Sequence, residues 1–335
     1  MAAGFTPRFG RRQEAIALAF LLLTCVPVLC AQSKTEKGWN PPKTADGHPD
    51  LQGFWSSATV TPLERPADLG TKATFTPAEA QAFAKMMIER NNVDNQRSSD
   101  GLVDVGPGYN NAFYDRGTHV VKTLHTSLIV DPPDGKLPPM TADGQKRAAD
   151  LVADVRAHAT DAPEYRSLQE RCILWPAAGP PMMPTGYNSN YQIVQSPGYV
   201  TIVTEMIHDV RIIPIDGRAH LPQDTRQWLG DSRGHWEGNT LVVETTNFTG
   251  KTHYRGTSDK LHLTERFSRM DAETLLYEFT VDDPATYTKP WTASVTMDKI
   301  AGPLYEYACH EGNYAMEDIL RGAREQEKHS GGGSH

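Results

Sequence analysis

The second half of the chain alternates apolar and polar residues with the period of two that is typical of β-strands. Runs such as Y-Q-I-V-Q, Y-V-T-I-V-T-E and T-L-V-V-E-T-T-N-F are separated by short segments rich in Gly, Pro, Asn, Asp or Ser. Such segments favour tight turns between antiparallel strands. The pattern predicts four hairpins after residue 190, with turns at 196–198, 237–239, 271–273 and 301–303.

The stretch T-E-M-I-H-D-V-R-I-I-P, residues 204–214, continues one of these strands. Written as a single strand, its more apolar face carries Met206, His208, Val210 and Ile212. His208 is then the only titratable side chain on that face. The pattern predicts either a core histidine that is satisfied by a backbone carbonyl or a functional histidine.

The first half of the chain carries helix signals. Thr76 followed by Pro77 predicts a helix to about residue 91, and Thr141 begins a second helix to about residue 158. Strands are predicted at 51–60 and at T-S-L-I-V-D, which ends before two prolines. The long Pro- and Gly-rich loops between these elements are typical of functional segments.

Consecutive antiparallel strands can hide their edges by closing into a barrel, which is just wide enough for a small ligand. We therefore expect a mainly β fold, an antiparallel calycin-like barrel with an α-helical insertion; a two-sheet β-sandwich is the alternative. Gly53-x-Trp55 before a run of strands resembles a lipocalin or calycin pattern, from which the helical insertion departs. The predicted segments are a signal peptide at 1–31, a linker at 32–50, the first strand with a helical and Pro/Gly-rich insertion at 51–189, the barrel at 190–315, and a C-terminal helix with a flexible tail at 316–335.

The composition of the chain limits the classes of binding partner. A chain of 335 residues with 39% hydrophobic residues can bury a substantial core. Its net charge of −8, without a basic tract beyond the first arginines, argues against nucleic acid and against an anionic membrane surface.

The start of the chain has the three parts of a secretory signal peptide. Arg8, Arg11 and Arg12 precede an apolar run over 15–29, which ends in Cys30 and Ala31. The run is short for a membrane span and contains a proline, so we expect removal near Ala31 rather than stable membrane insertion. The mature protein is then periplasmic or secreted, by either the general or the twin-arginine route.

Two cysteines follow the leader, Cys172 and Cys309. In an oxidising compartment a disulfide between them is favoured over two buried thiols. Neither cysteine has the Cys/His spacing of a zinc site.

Polar residues that interrupt an apolar strand face are the candidates for chemistry inside a barrel. His208 and Glu265 are such residues, and Asn247 follows a third apolar face. We expect His208 and Glu265 to form an acid/base pair, with Tyr277 and Trp291 as part of an apolar wall. The alternative for Glu265 is an ion pair with an arginine, either Arg211 or Arg266.

Three further clusters offer polar side chains. A bridge between the cysteines brings the loop with Tyr187 and Asn188 towards His310 and Glu311, which are otherwise an exposed pair after the last strand. The segment W-L-G-D-S-R-G-H-W places two tryptophans where they can line a pocket. The loop Y-D-R-G-T-H offers an arginine that can clamp an oxygen atom. The tryptophans are Trp228 and Trp236, and the arginine loop supplies Asp115 and Arg116.

Metal binding is not predicted. His208 with Asp209, His310 with Glu311, and His125 together supply nitrogen and oxygen ligands. Adjacent residues of a strand point to opposite faces, so such pairs cannot both bind one ion without a bulge.

The runs S-L-I-V-D-P-P-D-G, E-M-I-H-D-V-R-I-I-P-I-D-G-R, G-D-S-R-G-H-W-E-G-N-T-L-V-V-E-T-T-N-F and Y-E-Y-A-C-H-E-G-N-Y resemble an uncharacterised family of exported bacterial proteins. The resemblance covers nearly all of the chain after the leader. No activity is attached to that family, so the resemblance implies export and nothing about chemistry.

We expect an exported enzyme that performs acid/base chemistry without a cofactor, as a lyase, isomerase or hydrolase, on a small, partly apolar molecule. Glu265 or His208 is the expected base, and Arg116 or Arg211 stabilises negative charge. The alternatives are a periplasmic carrier of a small hydrophobe and a metal-dependent hydrolase. The sequence leaves the oligomeric state open, a homodimer included.

Overall fold

One antiparallel sheet organises the described part of the chain. The computed structural model describes Met1 and residues 39–96, 111–252 and 254–331. Ten strands form the sheet and three α-helices lie outside it. The strands are β1 (Gly53–Ser56), β2 (Ile129–Asp131), β3 (Asn190–Ser196), β4 (Tyr199–Thr204), β5 (Val210–Pro214), β6 (Asp231–Glu237), β7 (Thr240–Thr246), β8 (His262–Arg269), β9 (Thr274–Asp282) and β10 (Trp291–Ile300).

The strands follow the order β5-β4-β3-β1-β10-β9-β8-β7-β6, and β2 pairs with β10 beside this path. Every neighbouring pair is antiparallel. Because the path has an odd number of strands, the two outermost strands, β5 and β6, run in the same direction.

The two outermost strands approach each other without pairing. Gly234 of β6 has no side chain, and a Cβ there would lie 2.8 Å from Ile215 Cγ2 and 3.1 Å from Ile213 Cγ2. Within the described residues, however, no backbone ladder joins β5 to β6. The strands thus belong to one sheet rather than two, but the sheet is not closed and the predicted barrel is not confirmed.

The inner face of the sheet is filled by large side chains. Aromatic residues from five strands are fully buried there together with aliphatic neighbours, and ring pairs such as Phe279 and Trp291 meet edge to face at 5.6 Å. Burying this much apolar surface is the main source of stability. The fully buried aromatic side chains are Trp55, Tyr191, Phe248, Phe267, Tyr277, Phe279 and Trp291.

The helices begin where the sequence predicts. Thr76 caps α1 (Pro77–Asn91): its hydroxyl accepts from the Glu79 N–H, while the Glu79 carboxylate accepts from the Thr76 N–H. Thr141 caps α2 (Ala142–His158) through the Gly144 N–H. A third helix, α3 (Tyr314–Gly331), follows the sheet.

Three of the four predicted hairpins are confirmed, namely β3–β4, β6–β7 and β8–β9. The fourth is wrong, since residues 304–310 form no strand. The reason is that β10 is already paired on both sides, with β9 and with β1 and β2. A returning strand therefore has no free edge to join.

The cysteine prediction is confirmed, because Cys172 and Cys309 form a disulfide across 137 residues of sequence. The predicted signal peptide lies outside the described residues. In the described part of the chain, no helix has the length and apolar character needed to cross a membrane.

Candidate functional site

An ion pair lies at the centre of the sheet interior. Arg211 of β5 reaches Glu265 of β8 with two hydrogen bonds, Nη1 to Oε1 at 3.0 Å and Nη2 to Oε2 at 2.5 Å. Arg211 Nη2 also donates to the hydroxyls of Ser232 and Thr245. Glu265 is fully buried and Arg211 almost so. The ion pair therefore connects β5 to β8 across the interior, and no ladder joins these two strands.

Tyr277 completes this buried network. Its hydroxyl donates to Glu265 Oε1 at 2.8 Å and accepts from the Met182 N–H at 3.0 Å. Burial and the neighbouring Glu265 charge raise the pKa of Tyr277 well above its usual value. Both carboxylate oxygens of Glu265 are thus engaged. The predicted ion pair with Arg211 is confirmed, and the predicted acid/base pair with His208 is wrong.

His208 lies outside the sheet because the strand predicted over 204–214 is interrupted. β4 ends at Thr204, Met206–His208 form a turn of 3₁₀ helix, and β5 begins at Val210. Ile207 and His208 have φ values of 59° and 44°. A β-branched residue at positive φ is an outlier of the kind found at functional sites.

This turn reverses the faces of the following strand. Val210 and Ile212 point to solvent, whereas Arg211 and Ile213 point inward. His208 is exposed. Asp209 immediately precedes β5 with an extended backbone, and it lies on the same side as Arg211, as the sequence pattern also has it.

A cleft of about 730 Å³ lies where the sheet stays open. It is lined by 209–212 with Pro214 on the β5 side and by 226–233 on the β6 side, together with Ile173 and Arg218. Consecutive residues of both strands line it, so the strand edges themselves face the cleft. Sites of this size hold small organic molecules.

Main-chain groups of β5 face this cleft. The Asp209 carbonyl accepts from Thr204 N at 2.8 Å, and Ile215 N donates to the Gly198 carbonyl at 2.9 Å. In an antiparallel pair, hydrogen-bonded residues alternate with residues whose main-chain groups point away. The N–H and C=O groups of Val210 and Ile212 therefore point away from β4, towards the cleft.

The four arginines that line the cleft each have a carboxylate partner. Arg211 pairs with Glu265, and Arg233 Nη1 lies 2.6 Å from Asp231. Arg218 pairs with Asp216 at 2.5 Å, outside the lining, and Arg226 lies 3.7 Å from the Asp259 carboxylate. The positive charges of the cleft are thus matched in place.

Asp209 is the unmatched charge of the cleft. Among the described residues no group donates a hydrogen bond to its half-buried carboxylate, and His208 is its charged neighbour. Burial raises the pKa of Asp209 from 3.8 to about 6, and the charge of His208 lowers it only in part. A carboxyl group with a pKa near 6 can both accept and return a proton close to neutral pH.

Arg211 supplies a second unmatched group. Its Nε is buried, and among the described residues nothing accepts a hydrogen bond from it. A buried donor without a partner costs free energy comparable to a lost hydrogen bond. Because Arg211 lines the cleft, an oxygen atom of a bound molecule is a suitable acceptor.

Other predicted site residues lie near the cleft or support it. Trp228 lines it and is exposed. Asn247, at φ 59°, donates to the carbonyls of Leu221, Pro222 and Thr225 and so fixes the segment that precedes Trp228. Three other aromatic residues predicted for the site do not line the cleft. Trp236 stacks on His48, while Tyr277 and Trp291 lie in the core.

The clusters predicted around the disulfide and the arginine loop lie elsewhere. Asn188 donates to the buried Glu205 at 2.6 Å, and Tyr187 packs with Trp175 and Tyr307. His310 and Glu311 are exposed on a turn, and Tyr307 rather than His310 joins the Tyr187 cluster.

The arginine loop is held in place by its neighbours. Arg116 donates to the Asn91 carbonyl at 2.7 Å and covers the Tyr114 ring at 4.0 Å. Asp115 accepts from Gly117 N at 3.2 Å. Arg116 and Asp115 line a separate, smaller cavity of about 130 Å³.

Sequence reasoning named Asp209 only as a possible metal ligand beside His208 and did not single it out as a base. Its signal was an acid within an otherwise apolar strand pattern. Within the described ranges, no group of three His, Cys, Asp or Glu residues is placed to hold a metal ion. Comparison of the chain with protein-family models, curated proteins and solved structures finds no match.

Proposed function

We propose that the protein is an exported small-molecule enzyme that removes a proton next to a carbonyl group and returns it, without a redox cofactor. Asp209 is the base, and the Nε–H of Arg211 donates to the carbonyl oxygen as negative charge develops on it. The reaction belongs to the isomerase or lyase class.

The observation that carries the proposal is the state of Asp209. It is a carboxylate without a partner in the described part of the chain, it lines a cleft of suitable size, and its pKa is raised to about 6. Perturbed carboxyl groups in clefts are candidates for general bases. The strained turn at Ile207 directly precedes it, which is a further mark of a functional site.

The spacing of the two groups fits one substrate. Asp209 and Arg211 lie two residues apart on one face, which separates their backbones by roughly 7 Å. Both residues line the cleft, so a carbon acid and its carbonyl oxygen can contact both. Glu265 holds the guanidinium in position through its other two nitrogens. Glu265 is thus a positioning residue for Arg211.

Export is part of the proposal. The disulfide Cys172–Cys309 is consistent with an oxidising compartment, where such bonds persist. A carrier with its ligand inside the sheet has less support, because large side chains fill the inner face.

The proposal is tested by following deuterium exchange from D₂O into the carbon next to the carbonyl of a panel of uncharged ketones by proton NMR. The wild-type protein is expected to accelerate exchange, with a rate that rises through about pH 6 as Asp209 ionises. Asp209→Asn should lower the rate by about a hundredfold or more. Asp224→Asn, an exposed loop residue with the same charge change, is the control. Equal exchange by wild type and Asp209→Asn would refute the proposal.

A second measurement reports the ionisation of Asp209 directly. Its pKa is higher in the folded chain than the usual 3.8, so the folded state retains a proton that the unfolded state has lost. The Asp209 contribution to the free energy of unfolding is therefore greatest below about pH 4, falls as pH rises to about 6, and then levels. Asp209→Asn should remove this fall, which is about 1 kcal/mol because solvent screens part of the side chain.

A further inference from the structure

We infer that the cleft between β5 and β6 binds an uncharged carbonyl compound with an aromatic or apolar body, and that it excludes anions in spite of its four arginines. This inference rests on the proposed proton transfer for the role of the ligand. Its evidence, the balance of charge and surface in the cleft, is independent of turnover.

The charge balance is the first argument. Asp209 lies just before β5, and β5 itself contributes Arg211. The segment after β5 contributes Arg218 and Arg226, and β6 contributes Asp231 and Arg233. Each guanidinium already lies beside a carboxylate. A bound anion would have to displace one of these partners, while the free carboxylate of Asp209 would repel it. The number of arginines alone would therefore predict anion binding, which the charge balance of the cleft opposes.

The unmatched hydrogen-bonding groups are the second argument. Arg211 Nε requires an acceptor, and a neutral carbonyl oxygen can supply one. The main-chain N–H and C=O groups of Val210 and Ile212 also face the cleft and suit neutral polar atoms. A cation would bind at Asp209, but it would neutralise the base and so act as an inhibitor.

The apolar surface is the third argument. Trp228 lines the cleft from the β6 side, with Leu229 beside it, and Ile173 lines it as well. Trp228 is exposed in the described structure, although a tryptophan side chain offers a large apolar surface to bury. An aromatic or aliphatic body of the ligand can cover this surface when its carbonyl group lies at Arg211.

The experiment compares three probes of similar size by isothermal titration and tryptophan fluorescence at neutral pH. The ketone benzylacetone is uncharged, hydrocinnamate is an anion, and phenylpropylamine is a cation. Benzylacetone is expected to bind the wild-type protein at least tenfold more tightly than hydrocinnamate. Phenylpropylamine should bind and should slow any deuterium exchange.

Two variants assign these preferences to residues. Asp209→Asn should reduce the preference for ketone over carboxylate to less than about threefold and should abolish the binding of phenylpropylamine, whereas Asp224→Asn should change neither. Arg211→Lys keeps a positive charge opposite Glu265 but has no Nε–H. This variant should weaken the binding of benzylacetone about tenfold and leave the binding of phenylpropylamine unchanged. A loss of folding would weaken both.

Hydrocinnamate binding as tightly as benzylacetone, or no benzylacetone binding at millimolar concentration, would overturn the inference. Failure of the proposed function has a different signature. In that case benzylacetone binds with the expected preference and no probe ketone exchanges deuterium. Equilibrium binding therefore separates the two ideas.

Discussion

At the scale of single residues, one charge near the start of β5 is matched and another is not. Arg211 and Glu265 hold each other through two hydrogen bonds in the interior. Asp209, two residues before Arg211, has no such partner among the described residues. Removing one member of a buried pair costs more free energy than the pair itself contributes, because the remaining charge is buried alone. The pair therefore stabilises the sheet interior and fixes the guanidinium of Arg211 beside the cleft.

Glu265→Gln tests this distinction. The variant leaves the Arg211 charge buried and is expected to lower the free energy of unfolding by about 3–5 kcal/mol. Glu237→Gln is the matched control, because Glu237 pairs with Arg266 at 2.8 Å on the exposed face of the same sheet. That exposed pair should contribute at most about 1 kcal/mol. Urea denaturation measures both, and equal losses would contradict the structural role.

At the scale of elements, the turn between β4 and β5 determines which residues of β5 point inward. The sequence pattern shows no glycine or proline from 204 to 213, so it predicts a continuous strand there. The chain nevertheless turns at two consecutive residues with positive φ, Ile207 and His208. One buried face of the pattern is thereby exchanged for the other. The cost of this conformation is offset by contacts elsewhere, such as the burial of Met206 and Ile207.

His208→Gly tests the strain in this turn. Glycine adopts positive φ without steric cost, so the variant is expected to raise the free energy of unfolding by about 0.5–1 kcal/mol. His235→Gly is the control, since His235 is an exposed histidine within β6. There glycine should destabilise by a similar amount. A loss of stability in both variants would show that the turn is not strained at this residue.

At the scale of the whole molecule, the sheet and the C-terminal helix are held by different forces. The sheet has a continuous core, whereas none of residues 314–330 in α3 is buried. In the part of the chain that the structure describes, the hydrogen bonds from α3 to the rest run from Arg324 to the carbonyls of Thr160 and Asp161, at 2.8 and 3.1 Å. The disulfide just before α3 closes a loop of 137 residues. It thus supplies much of the connection that packing does not.

Replacing both cysteines by serine should therefore act on stability and on α3 in particular. Without the disulfide the unfolded chain has a greater conformational entropy, which is expected to lower the free energy of unfolding by about 3–5 kcal/mol. Amide hydrogen exchange in α3 should accelerate more than exchange in β8 and β9. The same protein with its disulfide intact is the control. Equal acceleration of amide exchange in α3 and in the sheet would contradict this role of the disulfide.

Local sequence determined several parts of this protein. Thr76 and Thr141 fix the helix starts because their hydroxyls accept from N–H groups only three residues away. Two-residue turns fix the hairpin β6–β7, and period-two patterning directs Glu265 inward. These features depend on neighbours in the chain, which is why patterning and turn chemistry reveal them.

Only the tertiary structure decided the rest. The last predicted hairpin is absent because β1 occupies the edge of β10, and β1 lies more than 200 residues earlier in the chain. The cleft lies where the two edge strands, β5 and β6, approach each other without a ladder. Asp209 faces it because a turn with positive φ shifts the strand by one residue. Each of these outcomes depends on partners distant in sequence, whose competition for edges and space no local pattern records.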